Sequence, residues 1–336
     1  MTTPLKCAFV GLGMGRNHGK LMQETGRMEV VAFCDPDDRR LADIQPLFPN
    51  AKYYKSQAEM LAAEKLDIIA QAVPHFLHTP LAIEALEAGV NVVVEKPMAT
   101  SYADCQKMIH AARKAGKTLT VYHNRRLDPW FLTAMQLIQE GKLGKVFEIN
   151  VAIGYGHTSD TWRGDKAASG GVMFDWGAHL VDYAMHFAQS KPVKISGWFY
   201  RRPEVSPTRN HDHGELRIYF ESGAIANVAV SAKDFSTVDR YRILGTEATY
   251  SDPWNWKPEM EGMLHTPNPE NRFAHLKTPV PYVKPPGEFY QMLAAHFLDQ
   301  APLAVTPESA AEVIKLLELA EQSADAGGIP IAVPQG

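Results

Sequence analysis

The sequence predicts an α/β N-terminal domain with a doubly wound parallel sheet, followed by an α+β C-terminal domain with a mostly antiparallel open sheet. Three observations carry this expectation. Apolar runs without strict alternation recur through the first third, separated by helical stretches, as in strands covered on both faces. The first run breaks into a glycine cluster that opens a helix. After Asp128-Pro129 the pattern changes to strands joined by hairpin signals. A chain of 336 residues exceeds what one hydrophobic core usually serves, and the boundary is placed between 1–122 and 123–336.

The strand-like runs are Leu5 to Val10, Met28 to Cys34, Asp67 to Val73, Asn91 to Val94 and Thr118 to Tyr122. Between them, Pro80 to Ala88 stops at Gly89, and Ser101 caps a helix from Tyr102 to Ala115 that Gly116 ends. Strand, helix and strand with short connections give a parallel sheet with right-handed crossovers. In the second part a helix is expected from Trp130 to Glu140. Strands are expected at Val146 to Tyr155, Lys194 to Tyr200, Glu215 to Phe220, Ala224 to Ser231 and Tyr241 to Leu244. Glu221-Ser222-Gly223 supplies a hairpin turn. Residues 251–287, rich in proline and polar side chains, are expected to be a long irregular excursion. Helices from Glu288 to Asp299 and from Pro307 to Ala326 close the chain.

Composition excludes several classes. A net charge of -4 with scattered Lys and Arg gives no footprint for nucleic acid or an anionic membrane. Three cysteines, Cys7, Cys34 and Cys105, lack CxxC spacing, so neither a zinc ribbon nor a redox dithiol is implied. No apolar run reaches membrane-spanning length and no signal-like N-terminus is present. The expectation is a soluble, cytoplasmic protein.

Gly11-Leu12-Gly13-Met14-Gly15 follows the first strand and opens a helix. Glycines there permit a sharp bend and close approach of a pyrophosphate, whose charge the helix N-terminus favours. Asp35 ends the second strand 22 residues beyond Gly13. A carboxylate there either caps the Pro36-Asp37 turn or, in the favoured reading, accepts hydrogen bonds from ribose hydroxyls and disfavours a 2′-phosphate. NAD is therefore expected, with NADP kept open by Arg39 and Arg40. Glu95-Lys96-Pro97 places an ammonium at the end of the fourth run, where it can stabilise a developing alkoxide. Pro74 and His78 end the third run in the same way, and His78 is expected at the nicotinamide edge or at a helix start.

Asp175, His179, Asp182 and His186 recur at helical spacing beside an apolar stripe of Trp176, Leu180, Tyr183 and Phe187. Three readings compete: a solvated polar face, a metal site on His179, Asp182 and His186, and a general base in which Asp175 orients His179. The cofactor loop favours the third, with no metal. His211-Asp212-His213 is read as a solvated loop.

Taken together, VGLGMGRNH at 10–18, Asp35, VPHFLH at 73–78, VVVEKPMA at 92–99 and TWRGDKAASGGVMFDWGAHLVD at 161–182 resemble the Gfo/Idh/MocA oxidoreductases over nearly the full length. The glycine loop is one residue shorter than the usual pattern. The resemblance implies a Rossmann domain and a catalytic set of Lys96, Asp175 and His179. It implies cofactor contacts from Gly11, Gly13, Met14, Gly15, Asp35, Pro74, His78, Glu95 and Lys96. Substrate contacts would come from Lys96, Tyr122, Asn124, Arg125, Trp162, Arg163, Asp175 and His179, with Arg126 structural. It further implies a sugar or cyclitol substrate and a homodimer or homotetramer. A silent NAD-binding sugar sensor and a redox-neutral NAD-dependent glycosidase are the alternatives.

Overall fold

The computed structural model describes residues 3–13, 15–155, 159–204, 206, 209–236, 239–254 and 261–335. The chain divides into two compact units. One comprises Met1–Asn124 with Gly287–Ile314, the other Arg125–Pro286 with Lys315–Gly336.

The first unit alternates β1 (Leu5–Val10), α1 (Arg16–Glu24), β2 (Met28–Cys34), α2 (Asp38–Ile44), β3 (Lys52–Tyr54), α3 (Gln57–Ala63), β4 (Ile68–Gln71), α4 (His78–Glu87), β5 (Asn91–Val94), α5 (Tyr102–Ala115) and β6 (Leu119–Val121). The six strands lie in the order β3-β2-β1-β4-β5-β6, every pair parallel. The order reverses beside β1, so the ligand crevice belongs beyond the carboxyl ends of β1 and β4. Phe9, Phe33, Ile68, Ile69 and Val94 are fully buried, which is why these runs do not alternate. Ser101 accepts a hydrogen bond from the Asp104 amide and Gly116 ends α5 at φ 62°, as expected from the sequence. Three elements were not anticipated. β3 is a three-residue edge strand without a buried position, and α2 and α3 are seven residues each, too short for a full apolar period.

The second unit begins with α6 (Pro129–Gln139), β7 (Val146–Gly154), the single turn α7 (Lys166–Ser169) and α8 (Ala178–Ala188). Then come β8 (Pro192–Tyr200), β9 (His213–Phe220), β10 (Ile225–Ser231), β11 (Asp239–Gly245), β12 (Thr249–Pro253), β13 (Gly262–Pro267) and β14 (His275–Val280). The chain closes with α9 (Phe289–Asp299), α10 (Pro307–Asp325) and β15 (Ile331–Ala332). The sheet order is β14-β13-β12-β11-β7-β10-β9-β8-β15. Only the β7–β10 pair is parallel among these described strands. α8 packs on β7 and β10, burying Ile149, Val151 and Val228. Arg240 is fully buried between the rings of Trp130 (3.9 Å) and Trp254 (4.9 Å) and lies 3.4 Å from Asp252, fixing β11 to β12.

The irregular excursion expected over 251–287 is corrected: β12, β13 and β14 extend the sheet there. β14 carries no buried residue, so it shows no apolar stripe, and its Pro279 is tolerated because the strand lies at an edge. Among the described residues no helix is long and apolar enough to cross a membrane.

Candidate functional site

In the first unit, the turn after β1 is closed by backbone demand. Gly11 sits at φ 90°, and a Cβ there would lie 2.4 Å from the Ala72 carbonyl oxygen; one at Gly15 would lie 2.2 Å from the Gly11 carbonyl oxygen. Neither position accepts a side chain. Gly13 is exposed, and a Cβ on it would meet nothing nearer than Arg40 at 3.8 Å. No side chain caps α1 and no acid lies in its first turn, so its leading amides and dipole are left for an anion. A dinucleotide pyrophosphate fits this cradle. Met14 lies outside the described residues.

Asp35 caps the turn that follows β2, the alternative role open to it from the sequence, and also braces the glycine turn. Its carboxylate is 1% exposed; Oδ2 accepts from the Leu12 amide at 2.8 Å and Oδ1 from the Asp37 amide at 2.9 Å. The half-exposed Arg40 reaches Oδ2 at 3.4 Å. Arg40 is one of the two arginines that keep NADP open.

Lys96 follows β5 and is joined to Pro97 by a cis peptide bond. Its backbone amide donates to Glu95 Oε2 at 3.0 Å. The Glu95 side chain is turned inward, with Oε1 2.9 Å from His18 Nε2. Burial pushes this carboxyl up, but the His18 hydrogen bond and the nearby cations leave it below its ordinary value. His78, expected at a nicotinamide edge or a helix start, begins α4 and is fully buried. Its Nδ1 is 2.8 Å from the Pro97 carbonyl and its Nε2 3.1 Å from that of Val73. It braces the turns after β4 and β5, and burial, opposed by these bonds, holds its pKa below the ordinary value. Tyr122, expected in a substrate pocket, packs among His18 (4.4 Å), Phe289 (4.7 Å) and Tyr290 (5.5 Å). Pro74 caps the short turn His75–Leu77, and Asn124 opens the turn Asn124–Leu127.

In the second unit, Asp175 lies in a π-helical turn, Met173–Gly177, that leads into α8. Asp175 thus precedes the regular α-helix that carries His179, Asp182 and His186 at helical spacing, and its step to His179 crosses a π turn and not an α-turn. Gly170 and Gly171, at φ 88° and 129°, start this distortion. His179 is buried, its ring 6.0 Å from that of Trp176. Asp182 is held by Arg126 through two bonds of 2.8 and 2.6 Å, which gives Arg126 its structural role. His186 lies 3.7 Å from Asp182 and, chiefly through burial, is held below its ordinary pKa.

Arg163 lies over the Trp162 ring at 4.5 Å and 3.7 Å from Asp175 Oδ2. Arg125 lies over the Trp176 ring at 5.0 Å and pairs with Asp128 at 3.2 Å. Asp175, Trp176 and Arg163 line a cavity of about 540 Å³ with Tyr155, Arg202, Asn210 and His211. The last four were not expected. The solvated reading of His211-Asp212-His213 is corrected. Asp212 is 1% exposed and accepts from Arg202 Nε at 3.0 Å, while His213 begins β9. Asp212 also exchanges backbone bonds with Tyr200 and Ala232, partners too distant in sequence to be read from the triplet. Burial first, then Lys166 and Arg201, lowers the His211 pKa to about 4. It is a neutral group in this cavity.

Residues 5–123 match the family model described as oxidoreductase family, NAD-binding Rossmann fold, and residues 131–251 match the GFO/IDH/MocA C-terminal domain. The scyllo-inositol 2-dehydrogenase (NADP+) of Bacillus subtilis is 26% identical over 343 residues, covering 95% of this chain and 93% of its own. The D-apiose dehydrogenase of Paraburkholderia graminis is 31% identical over 183 residues, 53% of this chain and 48% of its own. The crystal structure of an NAD-binding protein from Listeria innocua superposes with a TM-score of 0.88 at 26% identity, covering 99% of this chain and 98% of its own.

Proposed function

The chain belongs to the Gfo/Idh/MocA oxidoreductases and is an NAD(P)-dependent dehydrogenase, and on that premise we propose that it oxidises a secondary alcohol of a sugar, sugar derivative or cyclitol. The observation that carries this reading is one sheet holding both a glycine-lined, uncapped helix start and a lysine fixed by its backbone at the tip of β5. The relatives named for scyllo-inositol and D-apiose support the polyol class.

The bound nicotinamide supplies the hydride acceptor. Gly11, Gly13, Gly15 and the α1 amides hold the pyrophosphate. Lys96 donates a hydrogen bond to the reacting oxygen and stabilises its developing negative charge. His179 takes the hydroxyl proton at a ring nitrogen, and Asp175 orients it. Arg125, Trp162 and Arg163 shape the substrate side. Reversal of these steps reduces a ketone with the same residues. Trp198 and Tyr200, 56% and 44% exposed on the open face of the second sheet, favour a homo-oligomer that covers them.

Lys96→Ala and His179→Ala should each lower kcat by about 10²–10⁴-fold, the usual worth of a positioned acid or base, while fluorescence titration still detects NADH binding. Wild-type turnover in both variants would remove these residues from the chemistry.

A further inference from the structure

We propose that His18 is a positioning residue that ties the start of α1 to the Glu95-Lys96-Pro97 turn and so fixes the backbone from which Lys96 works. This rests on the role given to Lys96 above. His18 is the third residue of α1. Its Nε2 lies 2.9 Å from Glu95 Oε1, and its Nδ1 lies 2.7 Å from Tyr290 Oη on α9. The other Glu95 oxygen accepts the Lys96 amide at 3.0 Å. A continuous chain of bonds thus runs from Tyr290 through His18 and Glu95 to the Lys96 backbone, all within the first unit.

The chemistry of the partners fixes the direction of the Glu95 bond: a carboxylate only accepts, so His18 Nε2 donates to it, while the Tyr290 hydroxyl can donate to Nδ1 or accept from it. The ring is packed 5.2 Å from that of Phe9 and 4.4 Å from that of Tyr122. His18 and Glu95 are 6% and 7% exposed, so water does not replace a lost partner. An apolar residue would fill the same space, but it would strand the Glu95 charge and free the carboxylate from the geometry in which it holds Lys96. The same helix begins at the pyrophosphate cradle, so one side chain sets the register between cofactor loop and catalytic turn.

Hydrogen exchange of the Lys96 amide tests this without any substrate, in the full chain, with the Val93 amide of β5 as internal reference. His18→Leu should speed Lys96 exchange about tenfold relative to Val93, the worth of one hydrogen bond. His18→Gln, which can still donate to Glu95, should stay within about threefold of wild type. Should His18→Leu fail to fold, His18→Ser, too short to reach Glu95 and leaving room for a water beside its charge, should show the same fast Lys96 exchange. Wild-type exchange at Lys96 in His18→Leu, or in folded His18→Ser, overturns the proposal. Fast exchange there combined with full turnover by Lys96→Ala would confirm the tie and overturn instead the catalytic reading of Lys96.

Discussion

Asp35 spends both carboxylate oxygens on backbone amides, those of Leu12 and Asp37, and this changes what one residue says about the cofactor. A carboxylate that braces the glycine turn, with Arg40 3.4 Å away, is a weaker bar to a 2′-phosphate than an open one. A guanidinium suits that phosphate. Arg40→Ala should therefore raise the KM for NADP about tenfold more than that for NAD, the worth of one charged hydrogen bond. Steady-state kinetics with each cofactor gives the ratio, and equal changes would mean that Arg40 contacts neither ribose. Gly11 and Gly15 were legible in the sequence because a turn between a strand and a helix demands them. The inward bonds of Glu95 and His78, and the bond that Asp35 accepts from the Leu12 amide, were not. Each depends on a partner brought in by another strand or helix, and residue type alone does not say whether a carboxylate faces a ligand or a backbone amide.

Helical spacing correctly identified α8 but not the π turn, Met173–Gly177, that carries Asp175 and adds a residue to the register. The polar face, read as carrying a general base in preference to a solvated or metal-binding surface, is partly internal. Asp182, with 4% of its side chain exposed, is clamped by Arg126, with 11% exposed. Arg126→Leu leaves that carboxylate buried without its two-pronged partner, and should cost about 3–5 kcal/mol, read from the urea midpoint of the full chain. Adding Asp182→Leu should restore much of the loss, since an apolar pair replaces the ions without desolvation cost. A loss within about 0.5 kcal/mol for Arg126→Leu would class the pair with exposed ones. Strands with one buried face, such as β9 and β10, announced themselves by alternation and by the Glu221-Ser222-Gly223 turn. Exposed β14 carried no such signal.

At the scale of the whole molecule, the parallel sheet and the mixed sheet were both predictable from the change of pattern after Asp128, because strands covered on two faces and strands covered on one have different apolar periods. Which residues line the second unit's cavity was not predictable. Arg202, Asn210 and His211 come from the segment between β8 and β9, whose composition resembles any polar loop. The molecule-wide claim is that a polyol carbon gives its hydrogen directly to a bound nicotinamide. The most direct measurement uses scyllo-inositol, D-apiose and related polyols deuterated at each secondary carbinol carbon, incubated separately with NAD and NADP. Mass spectrometry of the cofactor then follows the label. The account predicts that one labelled polyol yields reduced cofactor heavier by a single deuterium. Turnover that yields only unlabelled reduced cofactor, or a cleaved substrate with no net reduction, would contradict it.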